Sequence, residues 1–248
     1  MIDIAELRRI GRLKGITNLG YAEKDYFQEI VLLTLSRSGP RLVFKGGTAL
    51  YKCYGIDRFS EDLDFSGTLD KGDAIVSALD AFGAHTERST EEISAGAIIT
   101  LKINGILYRG DARSQCKLQL HVNYKSSVIL KPNRARIFSL YPDIPSFVIR
   151  TMQEKEILAE KVRALLTRDR ARDMYDLWFL LRKGIPLDGE LIENKLAYYN
   201  VKFDTGRFLQ ALREKEHGWK DELKPFVSDL PEYKSALRDV VDAFSGYI

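Results

Sequence analysis

Cysteine is scarce in this chain, with only Cys53 and Cys116 among 248 residues. Each sits in an apolar run, and two thiols cannot build a disulfide framework, so both are expected as buried, reduced side chains. The histidines, His85, His121 and His217, lie far apart and lack the close spacing of a metal-binding motif. No apolar stretch approaches the ~20 residues needed to cross a bilayer. The N-terminal MIDIAELRRIGRLKG also lacks the long apolar core of a signal peptide. A cytoplasmic protein without a membrane partner is therefore expected. Neither sign of charge dominates: 38 Lys and Arg against 35 Asp and Glu leave a net +3. That permits nucleic-acid binding without arguing for it, because clustering on one face is what matters. The sequence shows no internal repeat and no low-complexity tract.

What is present is an ordinary globular composition, 45% hydrophobic and 29% charged, long enough for one large domain or two modest ones. Hydrophobic periodicity predicts helices over residues 5–14 and 22–37, the second ended by Gly39-Pro40. A short strand is expected over 41–45, then Gly46-Gly47, then a short helix over 48–54 capped by Thr48 and stopped by Gly55. Residues 62–65 alternate like a strand, 73–82 like a helix, and 98–107 and 117–124 like strands. Weaker strands are read over 136–139 and 146–150. Beyond residue 151 the pattern turns helical: 153–166, 171–183, 189–199, 205–215 and 232–244, with Pro186, Pro225 and Pro231 between segments. This is an α+β chain, with a mixed sheet flanked by helices in residues 1–151 and a helical bundle in residues 152–248.

Chemistry concentrates in residues 44–66, FKGGTALYKCYGIDRFSEDLDFS. Asp62 and Asp64 are two apart on a predicted strand and therefore share a face, while Leu63 and Phe65 point to a core. Two neighbouring carboxylates repel, and one is driven to protonate unless a cation balances them. A hard divalent ion, Mg²⁺ or Mn²⁺, commonly uses one or two carboxylates together with substrate phosphates. Gly46 and Gly47 let backbone approach a phosphate, and a following helix N-terminus presents free N–H groups. Thr48, Ser60 and Arg58 are further candidate phosphate contacts. Taken singly, Asp-x-Asp is a common solvated strand face and Gly-Gly a common turn; their combination is rarer.

The order Gly-Gly, helix, Asp-x-Asp resembles the signature of the DNA polymerase β-like nucleotidyltransferase superfamily. The string KGGTALYKCYGIDRFSEDLDF is similar to its AbiEii/AbiGii toxin branch, which includes the MenT-type toxins. A second motif, EKVRALLTRDRARDMYDLW at residues 160–178, matches that branch's early helical Lys and its Arg-Asp-x-x-Asp-Leu pattern. The resemblance implies a nucleoside triphosphate substrate and a nucleoside monophosphate passed to an acceptor with release of pyrophosphate. It implies that Asp62 and Asp64 hold the metal, that Lys161 meets triphosphate oxygens, and that Asp176, with Asp173 nearby, orients Lys161 or activates the acceptor hydroxyl. Read from the residues alone, the same positions also suit a structural salt-bridge cluster between two helices. Ser60 stands where MenT-type toxins carry an active-site Ser that is phosphorylated in some relatives. The acceptor implied is RNA, plausibly a tRNA 3′ end, and the chain would be a toxin with a cognate antitoxin. Rival expectations are a protein or small-molecule acceptor, or an inactive nucleotide-binding relative.

One departure motivates the last of these. Many relatives carry a third acid where residues 117–124, KLQLHVNY, place His121. Imidazole can act as a base near neutral pH, ligate a metal less suited to Mg²⁺, or be purely structural. Basic runs at Arg8, Arg9, Arg12 and Lys14, at Lys125, Lys131, Arg134 and Arg136, and at Arg163, Arg168, Arg170 and Arg172 could neutralise RNA phosphates or simply be solvated surface.

Overall fold

A change of periodicity near residue 151 marks the division of the chain in its computed structural model, which describes residues 1–37, 42–69, 72–125 and 127–247. One unit comprises Met1–Cys53, Ser60–Val128 and Pro132–Thr151; the other comprises Met152–Ile248 together with Tyr54–Phe59 and Ile129–Lys131. Those two short segments fall within the stretch that the sequence assigned to the first domain. The helix stop at Gly39-Pro40 and the strand start at residue 41 lie outside the described residues.

In the first unit, helices α1 (Ile4–Leu13), α2 (Leu19–Ser36) and α4 (Gly72–Ala81) accompany a seven-stranded mixed sheet. Its strands are β1 (Leu42–Lys45), β2 (Leu63–Gly67), β3 (His85–Ile93), β4 (Gly96–Asn104), β5 (Cys116–Asn123), β6 (Asn133–Ile137) and β7 (Phe147–Thr151), in the order β3-β4-β5-β2-β1-β7-β6. α2 packs on β5 and β7, and α4 on α2 and β3. Alternation sorts the strand side chains. Phe44, Leu63, Phe65, Leu118, Leu120 and Val122 are buried with Tyr26 and Phe27 of α2, while Lys117 is exposed and Gln119, His121 and Asn123 are partly exposed. Short apolar runs therefore become central strands, and polar positions on one face of β5 stay accessible.

In the second unit, α5 (Glu154–Thr167) and α6 (Ala171–Arg182) pack together, flanked by α7 (Gly189–Ala197), α8 (Thr205–Glu214), α9 (Glu216–Leu223) and α10 (Tyr233–Phe244). The core is aromatic: Tyr175, Phe208, Trp219 and Phe244 are almost wholly buried, and the Phe208 and Phe244 rings lie 4.7 Å apart. α9 and β3 were not expected from the sequence. β3 exposes eight of its nine residues and so lacks an apolar alternation to read.

Candidate active site

β1 and β2 run antiparallel, with Lys45 opposite Asp64, and the chain turns at Gly46 directly after Lys45. Gly46 has φ +75°, a left-handed conformation that side chains resist. A Cβ there would overlap Asp64 Oδ2 and lie 3.0 Å from the Asp64 Cβ and Cγ. The aspartate is thus set directly against the glycine bend, and only a residue without a side chain leaves it room.

The helical stretch after the bend begins at Gly46, two residues earlier than expected, and ends at Tyr54 as expected. α3 (Gly46–Ala49) is a single turn that passes into a π-helical stretch over Leu50–Tyr54. Lys45, not Thr48, is its N-cap residue, and it offers no side-chain cap. Thr48 lies inside the turn, fully buried, and its hydroxyl donates to the Asp62 carbonyl. The expected cap is therefore replaced by a tie between the glycine turn and the acid-bearing loop.

Asp62 also departs slightly from expectation, since β2 begins at Leu63 and leaves it just before the strand. The carboxylates still interact. Burial raises the Asp62 pKa most; His121 opposes the shift, Asp64 adds to it, and Lys24 opposes it. On the parallel neighbour β5, His121 stands in register with Asp64, its Nδ1 3.4 Å from Asp64 Oδ1. Gln28 of α2 fixes the preceding loop, donating from Nε2 to the Ser60 and Glu61 carbonyls at 2.8 Å each. Lys24, one turn earlier, pairs with Glu61 at 2.7 Å. The first unit thus gathers Gly46, Thr48, Asp62, Asp64 and His121, with Gly47 buried in α3 and Ser60 nearly buried in the pinned loop.

Arg58, Lys161, Asp173 and Asp176 gather in the second unit. Arg58 grips Asp176 with two N–H groups at 2.9 and 3.0 Å, a fork matched to a carboxylate. Lys161 Nζ lies 2.8 Å from Asp173 and 2.6 Å from Asp176, and Arg168 donates twice to Asp173 at 2.7 and 2.8 Å. Burial alone would raise the Asp176 pKa, but Arg58 and Lys161 outweigh it and hold the group below the usual range. Asp173 is lowered likewise, because Lys161 and Arg168 overcome its burial. Burial disfavours the Lys161 charge, yet the two aspartates raise its pKa. The salt-bridge arrangement between α5 and α6 is realised, and Arg58 joins it.

A further network escaped the sequence reading. Asp25 and Glu29, buried on α2, receive Lys14 and Lys52; Tyr141 donates to Asp25 at 2.8 Å and Ser139 to Glu29 at 2.6 Å. Lys14 is thus spent inside the fold and is unavailable to the basic N-terminal run. The acids at i and i+4 on α2 were the only local hint, and their partners come from distant segments.

Whether these residues suit a divalent cation can be judged from the donor set. Asp62 and Asp64 offer hard oxygen ligands, and the cost of ionising Asp62 beside Asp64 falls when a cation is bound. The bare Gly46 leaves room for the Asp64 carboxylate at the bend. Among the described residues, no group of three or more His, Cys, Asp or Glu side chains is placed to cage a metal. Mg²⁺ does not require one, since it typically combines one or two carboxylates with phosphates and water.

Comparison with known proteins gives the family. The family profile described as "Nucleotidyl transferase AbiEii toxin, Type IV TA system" matches residues 31–244. The fold is similar to that of MenT4, the nucleotidyltransferase toxin Rv2826c from Mycobacterium tuberculosis H37Rv, with TM-score 0.71 and 20% identity over 99% of this chain and 89% of that one. It is also similar to JHP933 from Helicobacter pylori, with TM-score 0.56 and 16% identity over 90% of this chain and 89% of that one. No curated protein matches the sequence significantly. No helix among the described residues is long and apolar enough to cross a membrane. The chain belongs to the AbiEii family and is a nucleotidyltransferase toxin of the type IV toxin–antitoxin class.

Proposed function

We propose that this toxin transfers a nucleoside monophosphate from a nucleoside triphosphate to an RNA hydroxyl, at a tRNA 3′ end, with Mg²⁺ held by Asp62 and Asp64. The observation that carries the reading is the placement of Asp64 against the Gly46 bend, with Asp62 close enough for the two charges to disfavour each other. When bound, the metal supplies charge neutralisation for the phosphates and the reacting oxygens.

The protein's own groups do the rest. In this reading phosphate oxygens meet the backbone at Gly46 and Gly47, and Ser60 offers a hydroxyl. The acceptor hydroxyl attacks the α-phosphorus in line, a P–O bond forms, and the bond to pyrophosphate breaks. The hydroxyl proton passes to His121, whose contact with Asp64 orients the imidazole. Asp176 is the weaker candidate for that proton, because two cations hold its buried carboxylate ionised. Lys161, Asp173 and Arg58 remain proposed participants in triphosphate binding on the strength of the family motif, and their mutual pairing makes a purely structural role the alternative to test. A cognate antitoxin is the expected partner of the toxin class.

The deciding experiment incubates the protein with each labelled nucleoside triphosphate, Mg²⁺ and total tRNA, with Asp62→Ala as control. Labelled tRNA that depends on Asp62 and Mg²⁺ supports the proposal. Label appearing only on protein or on a small molecule would replace the acceptor, and nucleotide binding without transfer would reject catalysis.

A further inference from the structure

The first unit has an open cleft of about 650 Å³, walled by the start of α2 and by the connection from β4 to β5. Lys24, Arg109, Arg113 and Lys117 line it, with Tyr21 as an aromatic wall. Its acids are already committed. The buried Glu23 accepts the Leu107 amide at 2.7 Å, which fastens the connection to α2. Asp111 accepts the Arg113 and Ser114 amides at 2.8 and 3.1 Å, and the Ser114 hydroxyl holds the Arg109 amide at 3.0 Å. The carboxylates thus shape the backbone. Among the described residues, by contrast, Arg109, Arg113 and Lys117 form no ion pair, and all three are exposed. Exposed cations around acids that bind backbone amides give a groove suited to a chain of phosphates.

The cleft leads to the chemistry by two routes. Lys24 pairs with Glu61, the neighbour of Asp62, and its charge is felt at Asp62. Lys117 lies on the same face of β5 as His121, four residues away, or about 13 Å at about 3.3 Å per residue.

We propose that this cleft binds the sugar–phosphate backbone of the single-stranded end of the RNA acceptor, with Arg109, Arg113 and Lys117 as its phosphate contacts. The inference rests on the RNA-acceptor reading above. It places the acceptor strand on residues that neither the family motifs nor the basic runs of the sequence single out.

The test uses the full-length protein, a fluorescein-labelled single-stranded RNA and the triple variant Arg109→Gln/Arg113→Gln/Lys117→Gln. Anisotropy without nucleotide is expected to show at least tenfold weaker RNA binding. The slope of log affinity against log salt should fall by about 2, at ~0.7 per lost phosphate contact. In transfer assays KM for RNA should rise while KM for the nucleoside triphosphate stays within twofold. Because a triple change can disturb folding, Arg109→Gln and Lys117→Gln alone are measured too, each expected to weaken RNA binding severalfold with an unchanged melting temperature. Undiminished RNA binding in variants of an enzyme that still labels RNA would overturn the cleft and leave the proposed function standing. A raised KM for the triphosphate alone would assign the cleft to the nucleotide instead. Wild-type protein that neither binds nor labels RNA would overturn both.

Discussion

Two aspartate pairs, Asp62 with Asp64 and Asp173 with Asp176, stand two and three residues apart in sequence and live in opposite electrostatic surroundings. Asp173 and Asp176 are buried among Arg58, Lys161 and Arg168, and both titrate below the normal range despite their burial. The Asp62 carboxyl is displaced upward, by burial first and with Asp64 adding to it. Protein cations complete the second pair, whereas at Asp62 His121 and Lys24 do not overcome the effect of burial.

The contrast can be broken most severely at the acids of the first unit. Asp64→Asn or Asp62→Asn is expected to lower transfer by about three orders of magnitude or more, from several kcal/mol of lost charge stabilisation. The same Asp62→Asn protein should melt at the wild-type temperature or above it at pH 7 without metal, because it no longer carries a charge that the fold disfavours. A large drop in melting temperature would make Asp62 structural.

Asp176→Ala should do the reverse and destabilise the fold by about 3–5 kcal/mol in urea titration, since it strands buried cations. Lys161→Met sharpens the comparison. Lost transfer at an unchanged urea midpoint would give Lys161 a direct part in the reaction, whereas parallel losses would make it a strut.

Next in size is the response to metal. Saturating Mg²⁺ should stabilise the wild-type protein by about 2.7 kcal/mol at a hundred times the dissociation constant, and should leave Asp62→Asn/Asp64→Asn unmoved. The binding should weaken as the pH falls through the raised Asp62 pKa, at a higher pH than for an ordinary aspartate. Acid also weakens the second pair, but in a lower pH range. Its folded pKa values are depressed, so its stabilisation is full above the normal aspartate value of 3.8 and is lost as the pH falls toward the lower folded values. The difference in unfolding free energy between wild type and Asp176→Asn should therefore shrink only in strong acid.

The smallest expected effect is at the bend. Gly46→Ala combines a left-handed backbone with the overlap onto Asp64, for about 1–3 kcal/mol, and should lower transfer by displacing that carboxylate.

Much of this was legible in the sequence because the signals were local. The glycine bend and the Asp-x-Asp fall within one stretch, residues 46–64, and the buried Leu63 and Phe65 follow from alternation. The helices of the second unit announce themselves by a 3.6-residue period. Exposed β3 has no such pattern, and α9 follows α8 after the single residue Lys215. Partnerships across long separations were invisible. Arg58 was read as a phosphate contact from its place before the acids, and it pairs with Asp176, 118 positions away. The Thr48 hydroxyl found a carbonyl 14 residues on in place of a cap, and Lys14 found two acids inside the fold.

Gln28 gives the architecture a last consequence. Its amide clamps the loop that carries Asp62, and Asp25 and Glu29 beside it anchor Lys52, yet all three precede residue 31, where the family profile begins. A protein trimmed to the signature would keep every reactive group and lose the brace that aims them.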